Sequence, residues 1–94
     1  MIRLEDDADP DRVHHLKSWP GYYWAVYGQA KTFEIRKNDR DFRVGHVLEL
    51  QEWDPIREIY TGQQLRAEIT YMISDLVPGI EEGYCALGIS LFDD

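Results

Sequence analysis

The clearest periodicity in the chain runs from Leu65 to Ser74. Leu65, Ala67, Ile69, Tyr71 and Ile73 alternate with Arg66, Glu68, Thr70, Met72 and Ser74, the period-two pattern of a long strand with one buried face. Four shorter segments read the same way. Residues 12–17 form a first strand, on which the adjacent His14 and His15 leave opposite faces, one packed and one at a rim. Apolar Phe33 and Ile35 alternate with Thr32, Glu34 and Arg36, which predicts a strand anchored through Phe33 and Ile35. Residues 46–53 put Leu48 and Leu50 on one face and Glu49 and Gln51 on the other. Residues 84–92 send Cys85, Leu87, Ile89 and Leu91 one way, with Gly88 opposite them as the mark of a bulge or a close approach.

The period changes only once. Ser18-Trp19-Pro20 is a helix start, with Pro near the first turn and Ser as a candidate cap. The helix runs over residues 20–27 and stops at Gly28, with Tyr23, Val26 and Tyr27 at the spacing of a buried stripe. Tyr22 and Trp24 fall off that stripe, so each is either a rim-covering ring or a platform for stacking a base. Asn38-Asp39, Asp54-Pro55, Thr61-Gly62 and Pro78-Gly79 punctuate the strands, with an irregular excursion over 56–60. Five short strands and one early helix predict an α+β, mainly β domain: a small, partly closed barrel with the helix across one opening.

Composition sharpens this picture. Ninety-four residues with twelve aromatics support a single core. One cysteine excludes an internal disulfide and a cysteine-based zinc site, and the separated histidine directions speak against a metal centre, so no cofactor is expected. No long apolar run occurs, which points to a cytoplasmic protein without membrane contact. Residues 1–11 hold five carboxylates against one arginine and read as an acidic tail ahead of a domain over 12–94. A formal charge of −8 argues against broad duplex binding, which relies on neutralising phosphates.

Against that charge, residues 31–45, KTFEIRKNDRDFRVG, carry Lys31, Arg36, Lys37, Arg40 and Arg43, five of the ten basic residues. Glu34 and Arg36 are spaced about 7 Å apart along a strand. Lys31 falls in alternation with Phe33 and Ile35, so it shares a mouth with Glu34 only if the strand begins or bulges there. From the residues alone, the stretch is either a recognition element or a solvated edge strand with a charged hairpin.

The same stretch, with His14, Leu16 and Lys17, Trp19-Pro20, Leu50-Gln51-Glu52 and Tyr60-Thr61-Gly62, resembles the ASCH domain family of the PUA-like superfamily, closest to a small branch from bacteria and phages. The resemblance spans about residues 12–92. The family's glycine two places before the lysine falls at Gln29, and its Gly-Asp after the basic loop reads Gly45-His46. The resemblance implies a PUA-like barrel with a pocket between the helix and the adjoining strand ends, taking RNA, a nucleotide or a modified nucleoside. Arg36 and Arg40 suit phosphate or a base edge. Asn38 both donates and accepts, Lys17 adds charge, and Trp19, Trp53 or Tyr60 could wall a base.

Some ASCH proteins look like amidohydrolases on acylated cytidine, with a lysine base, a threonine three residues on and a distant glutamate. Lys31 matches the lysine, whereas Glu34 stands at the threonine position, leaving Lys31 and Glu34 as the candidate catalytic pair. Others look like ribonucleases, for which His14 or His15 would supply acid or base. A third reading is a protein-interaction module whose acidic surface meets a basic partner. Binding leads these readings because neither catalytic constellation is complete.

Overall fold

A computed structural model describes residues 12–92; the acidic tail lies outside the described residues. Five strands and one helix follow in the order β1 (Val13–Ser18), α1 (Pro20–Tyr27), β2 (Phe33–Lys37), β3 (Val47–Asp54), β4 (Ile59–Ile73) and β5 (Tyr84–Leu91). They form one sheet in the order β1-β3-β4-β5-β2, curled into a partly closed half-barrel. Only the β1–β3 pair is parallel. A parallel pair needs a crossover connection, and α1 with β2 lies within it. Among the described residues, no helix is long and apolar enough to cross a membrane.

The core is the concave side of the sheet, closed at one end by α1. Leu16, Leu48, Leu50, Ala67, Ile69, Cys85, Leu87 and Ile89 fill it with Tyr23 and Val26 of the helix. α1 starts with Pro20 in its first turn, where proline's missing N–H costs no helical bond. Its cap position is Trp19 rather than Ser18, and no side chain caps it. Tyr27 departs from the expected stripe and is exposed, because eight residues reach the sheet only through Tyr23 and Val26. Glu52 ties the helix down, accepting from Trp24 Nε1 and from Thr61 Oγ1, each at 2.7 Å.

The expected anchoring of β2 is inverted. Phe33 and Ile35 stand 49% and 53% exposed on the convex face, while Glu34 is only 3% exposed and points inward. Alternation separates two faces without saying which one is the core. Here the charged set goes inside because the carboxylate brings its own cations. On β4 the predicted alternation fails at Thr70, an extra residue between the pairs Ile69↔Ile89 and Tyr71↔Gly88. The bulge turns Tyr71 outward to 67% exposure and packs Met72 against the core instead. Gly88 lies opposite Phe33 on one side and Tyr71 on the other. A Cβ there would lie at ordinary contact distance, 3.5 Å from Tyr71 Cβ, so of the two alternatives the glycine marks the bulge, which lies on the facing strand at Thr70.

Candidate functional site: the seam between the first two strands

β1 and β2 are the two ends of the sheet, and no ladder joins them. Each therefore keeps one row of backbone groups unpaired by a neighbouring strand. Asn38 N–H donates to Gly83 O, and Ile89 N–H to Thr32 O. With the alternation of an antiparallel pair, this turns the backbone of Glu34 and Arg36 toward β5 and that of Phe33 and Ile35 toward the seam. Across the gap, His15 and Lys17 present their carbonyls.

Cationic side chains occupy three of those seam carbonyls. Arg40 Nη1 donates to His15 O at 2.7 Å, and Arg36 Nη2 donates to Lys17 O at 3.1 Å. Lys31 Nζ donates to Phe33 O at 2.7 Å. The barrel is thus stapled along this line by charged donors instead of a backbone ladder.

Glu34 is the hub of the inward side. Its Oε2 accepts from Lys31 Nζ at 2.5 Å, and its Oε1 accepts from Arg36 Nε at 2.9 Å, with Arg36 Nη2 ion-paired at the same distance. Lys31 reaches it because β2 begins only at Phe33, so Lys31 belongs to the preceding turn and escapes the strand's alternation. That turn runs through Gln29, whose φ of 63° is the left-handed conformation. This is the position at which the ASCH-like pattern has its glycine, and glutamine adopts here a conformation glycine takes without cost.

Around this hub lies a pocket of about 920 Å³, lined by Lys17, Ser18, Trp19, Tyr22, Ala30, Lys31 and the run from Phe33 to Arg36. Its walls are largely apolar. Trp19 at 55% exposure, Tyr22 and Phe33 offer aromatic surface, and Lys31 Nζ lies 5.7 Å and 5.1 Å from the rings of Tyr22 and Phe33. The structure therefore brings together Lys31, Glu34, Arg36, Trp19 and Lys17 of the sequence candidates.

It places the others elsewhere. Tyr60 and Trp53 stack edge-to-face on the β3–β4 hairpin, away from the pocket lining, and Lys17 Nζ sits 4.0 Å over the Trp53 ring. Lys17 thus borders the pocket while its ammonium serves the outer face. Asn38 is exposed in the turn after β2, and Arg40 acts on the seam below the pocket. The sequence reading missed Ser18 as a lining residue. Its place in the inward alternation of His14, Leu16 and Ser18 was the available signal.

The two histidines separate as expected. His15 is exposed, 3.6 Å from Glu49. His14 is buried beside Phe42, with its Nε2 3.0 Å from His46 Nδ1. Burial, then the charges of Arg12, His46 and Arg40, push His14 down from 6.5 to about 4, so neutral His14 is a packing element. Glu49 is held below the usual carboxylate range, chiefly by a hydrogen bond from Gln51 and also by one from Arg66. Among the described residues, no group of three or more His, Cys, Asp or Glu is placed to hold a metal ion.

Comparison with known proteins fits these elements into a family. The sequence profile of a family described as "Domain of unknown function (DUF3850)" matches residues 13–89. The chain belongs to the DUF3850 family. The match begins with β1 and ends within β5, so it contains every residue that lines the seam pocket. A relative of this DUF3850 chain is a protein of Escherichia phage P2 described as "Uncharacterized 12.9 kDa protein in GpA 3'region". It is 32% identical over 71 residues, which are 76% of this chain and 62% of that protein. The DUF3850 chain thus spans about 62% of the length of that relative.

Proposed function

We propose that this DUF3850 chain binds RNA or a nucleotide, modified nucleosides included, in the pocket of the β1–β2 seam. The observation that carries the reading is a single pocket with aromatic walls, Trp19, Tyr22 and Phe33, around a polar floor of Lys31, Glu34 and Arg36. Bases stack on exposed rings for about 1–3 kcal/mol each, and guanidinium and ammonium groups meet phosphates and base edges. The resemblance to ASCH domains points the same way, toward a PUA-like domain acting on RNA.

A hydrolase is the second reading, favoured by the direct contact of Lys31 Nζ with Glu34 Oε2. In that reading the pair would activate water against an acylated nucleoside or an RNA phosphodiester. Geometry weakens it, since both Glu34 oxygens already accept from cations and are poorly placed to take a proton.

Titration of the protein with short single-stranded RNA and with free and acylated nucleosides, followed by chromatography of the mixture, tests both. Saturable binding that Arg36→Ala weakens, without product, supports the binding reading. Product that disappears in Lys31→Ala supports the hydrolase. No response to any of these ligands removes both readings and leaves a protein partner as the remaining class.

A further inference from the structure

The hydrogen-bond balance of the seam pocket narrows the ligand. Among the described residues, Glu34 is the only carboxylate in the lining, and a cation already engages each of its oxygens: Oε1 takes Arg36 Nε, and Oε2 takes Lys31. On the donor side there is a surplus. The Lys31 ammonium carries three protons and spends two, on Glu34 and on Phe33 O. Arg36 has five donors; Nε and Nη2 are engaged with Glu34 and Lys17 O, and the side chain keeps 25% exposure. Two cations against one carboxylate leave about one positive charge at the floor, within a protein of net charge −8.

Ser18 adds an independent sign. It lines the same pocket and is only 3% exposed, and its hydroxyl has no hydrogen-bond partner. An orphaned buried hydroxyl costs stability, and it lies on the inward alternation of β1, beside Lys17, whose carbonyl receives Arg36. Besides the hydroxyls of Ser18 and Tyr22, which both donate and accept, the remaining acceptors here are backbone carbonyls, and three of those on the seam are already taken by Arg36, Arg40 and Lys31.

We infer that the pocket selects an acceptor-rich anion attached to an aromatic group. It takes the phosphate of a nucleotide, held by Arg36, Lys31 and the Ser18 hydroxyl, with the base against Trp19, Tyr22 or Phe33. The inference rests on the binding reading above and divides it, because a neutral nucleoside lacks the group that the surplus donors require. The same phosphate chemistry occurs on a free mononucleotide and within single-stranded RNA.

Calorimetric titration at low and moderate salt separates these cases. The probes are the four ribonucleoside 5′-monophosphates, the matching nucleosides, inorganic phosphate, and short single-stranded RNA. At least one monophosphate is expected to bind ten-fold or more tighter than its nucleoside, with an affinity that falls as salt rises. Arg36→Ala should cost the monophosphate at least ten-fold more than it costs the nucleoside, bringing the two to similar affinities. Ser18→Ala should weaken the monophosphate several-fold with an unchanged or higher Tm, since the hydroxyl satisfies nothing in the free protein. Preference for RNA over every monophosphate, with the same Arg36→Ala and Ser18→Ala losses, assigns the phosphate to a chain. Equal binding of nucleoside and monophosphate overturns the inference while the pocket reading stands. Inorganic phosphate binding as tightly as any monophosphate overturns it too, by reducing the pocket to an anion site. Binding of none of the probes removes the underlying reading itself.

Discussion

The half-barrel is closed by two different chemistries. From β1 through β3, β4 and β5 to β2, neighbouring strands exchange backbone hydrogen bonds over an apolar core of Leu48, Leu50, Ile69 and Leu87. Across the seam from β2 to β1, the contacts are long side chains from Arg36 and Arg40 reaching β1 carbonyls, with Lys31 covering the edge of β2 itself. A backbone ladder sets strands about 4.8 Å apart and leaves no room between them. Side-chain staples hold two edges further apart, so the one place where the sheet does not close is also where a pocket opens. The ladder side draws its stability from burial, and the seam draws its from charge.

That contrast can be broken from the ladder side first. Leu87→Ala deletes a fully buried side chain and is expected to cost about 2–5 kcal/mol in chemical denaturation; a loss below 1 kcal/mol would mean the core under β5 is loosely packed. Next comes acid. Because His14 is pushed down from 6.5 to about 4 in the folded chain, the unfolded chain takes up the proton first. Its contribution to stability is present above pH 6.5, declines as pH falls toward about 4, and is flat below that. The full decline is about 3 kcal/mol, and it should vanish in His14→Gln when denaturation is followed across that window. His14 and His46 share one hydrogen bond between ring nitrogens, in which one ring must accept, so a proton on each would break it.

On the seam side the effects are smaller. Glu34→Gln leaves Lys31 and Arg36 without their counter-charge, at side-chain exposures of 17% and 25%. Water reaches both cations, so the cost should be about 1–3 kcal/mol, below that of a fully buried ion pair, and it should shrink in high salt. A larger loss that ignored salt would show that Glu34 works by packing. Arg40→Ala removes one staple whose side chain is 45% exposed, and denaturation should register less than about 1 kcal/mol.

The same division explains what could be read from the sequence. The helix was legible to the residue, because the Pro20 and Gly28 signals are local, and each strand was legible in its apolar part. β4, however, begins at Ile59, so Thr61-Gly62, read as a turn, lies inside the strand, where no apolar alternation marks it. Cys85 also falls in the core as its alternation required. Orientation was the main failure, where a polar group goes inside and where a bulge resets the faces. Nothing in the pattern Thr32-Phe33-Glu34-Ile35-Arg36 reveals that Glu34 is buried, because the compensation comes from Lys31 in a turn whose direction depends on Gln29. Tyr71 was misplaced for a related reason: the bulge at Thr70 inserts one residue, and an inserted residue reverses all faces after it. Among the site candidates, the motif residues on or just before the strand, Lys31, Glu34 and Arg36, converge, whereas Asn38, Arg40 and Tyr60, which came from the same resemblance, sit in the loop after β2 or on the β3–β4 hairpin and lie elsewhere.

The parallel register of β1 on β3 also orders events in time. Val13 pairs with Val47, so β1 cannot dock until the helix, β2 and the basic loop have been gathered into one closed loop. β3 and β4, by contrast, meet across a turn of four residues between Asp54 and Ile59. Short loops close at lower entropic cost than long ones, and pairings distant in sequence slow folding. The β3–β4 hairpin should therefore form first and β1 last, with the seam and its pocket created only in the final step. Pulsed amide exchange during refolding would show protection of Leu48 and Leu50 against β4 before the amides of His14 and Leu16 are protected; simultaneous protection would mean that the barrel closes in a single step.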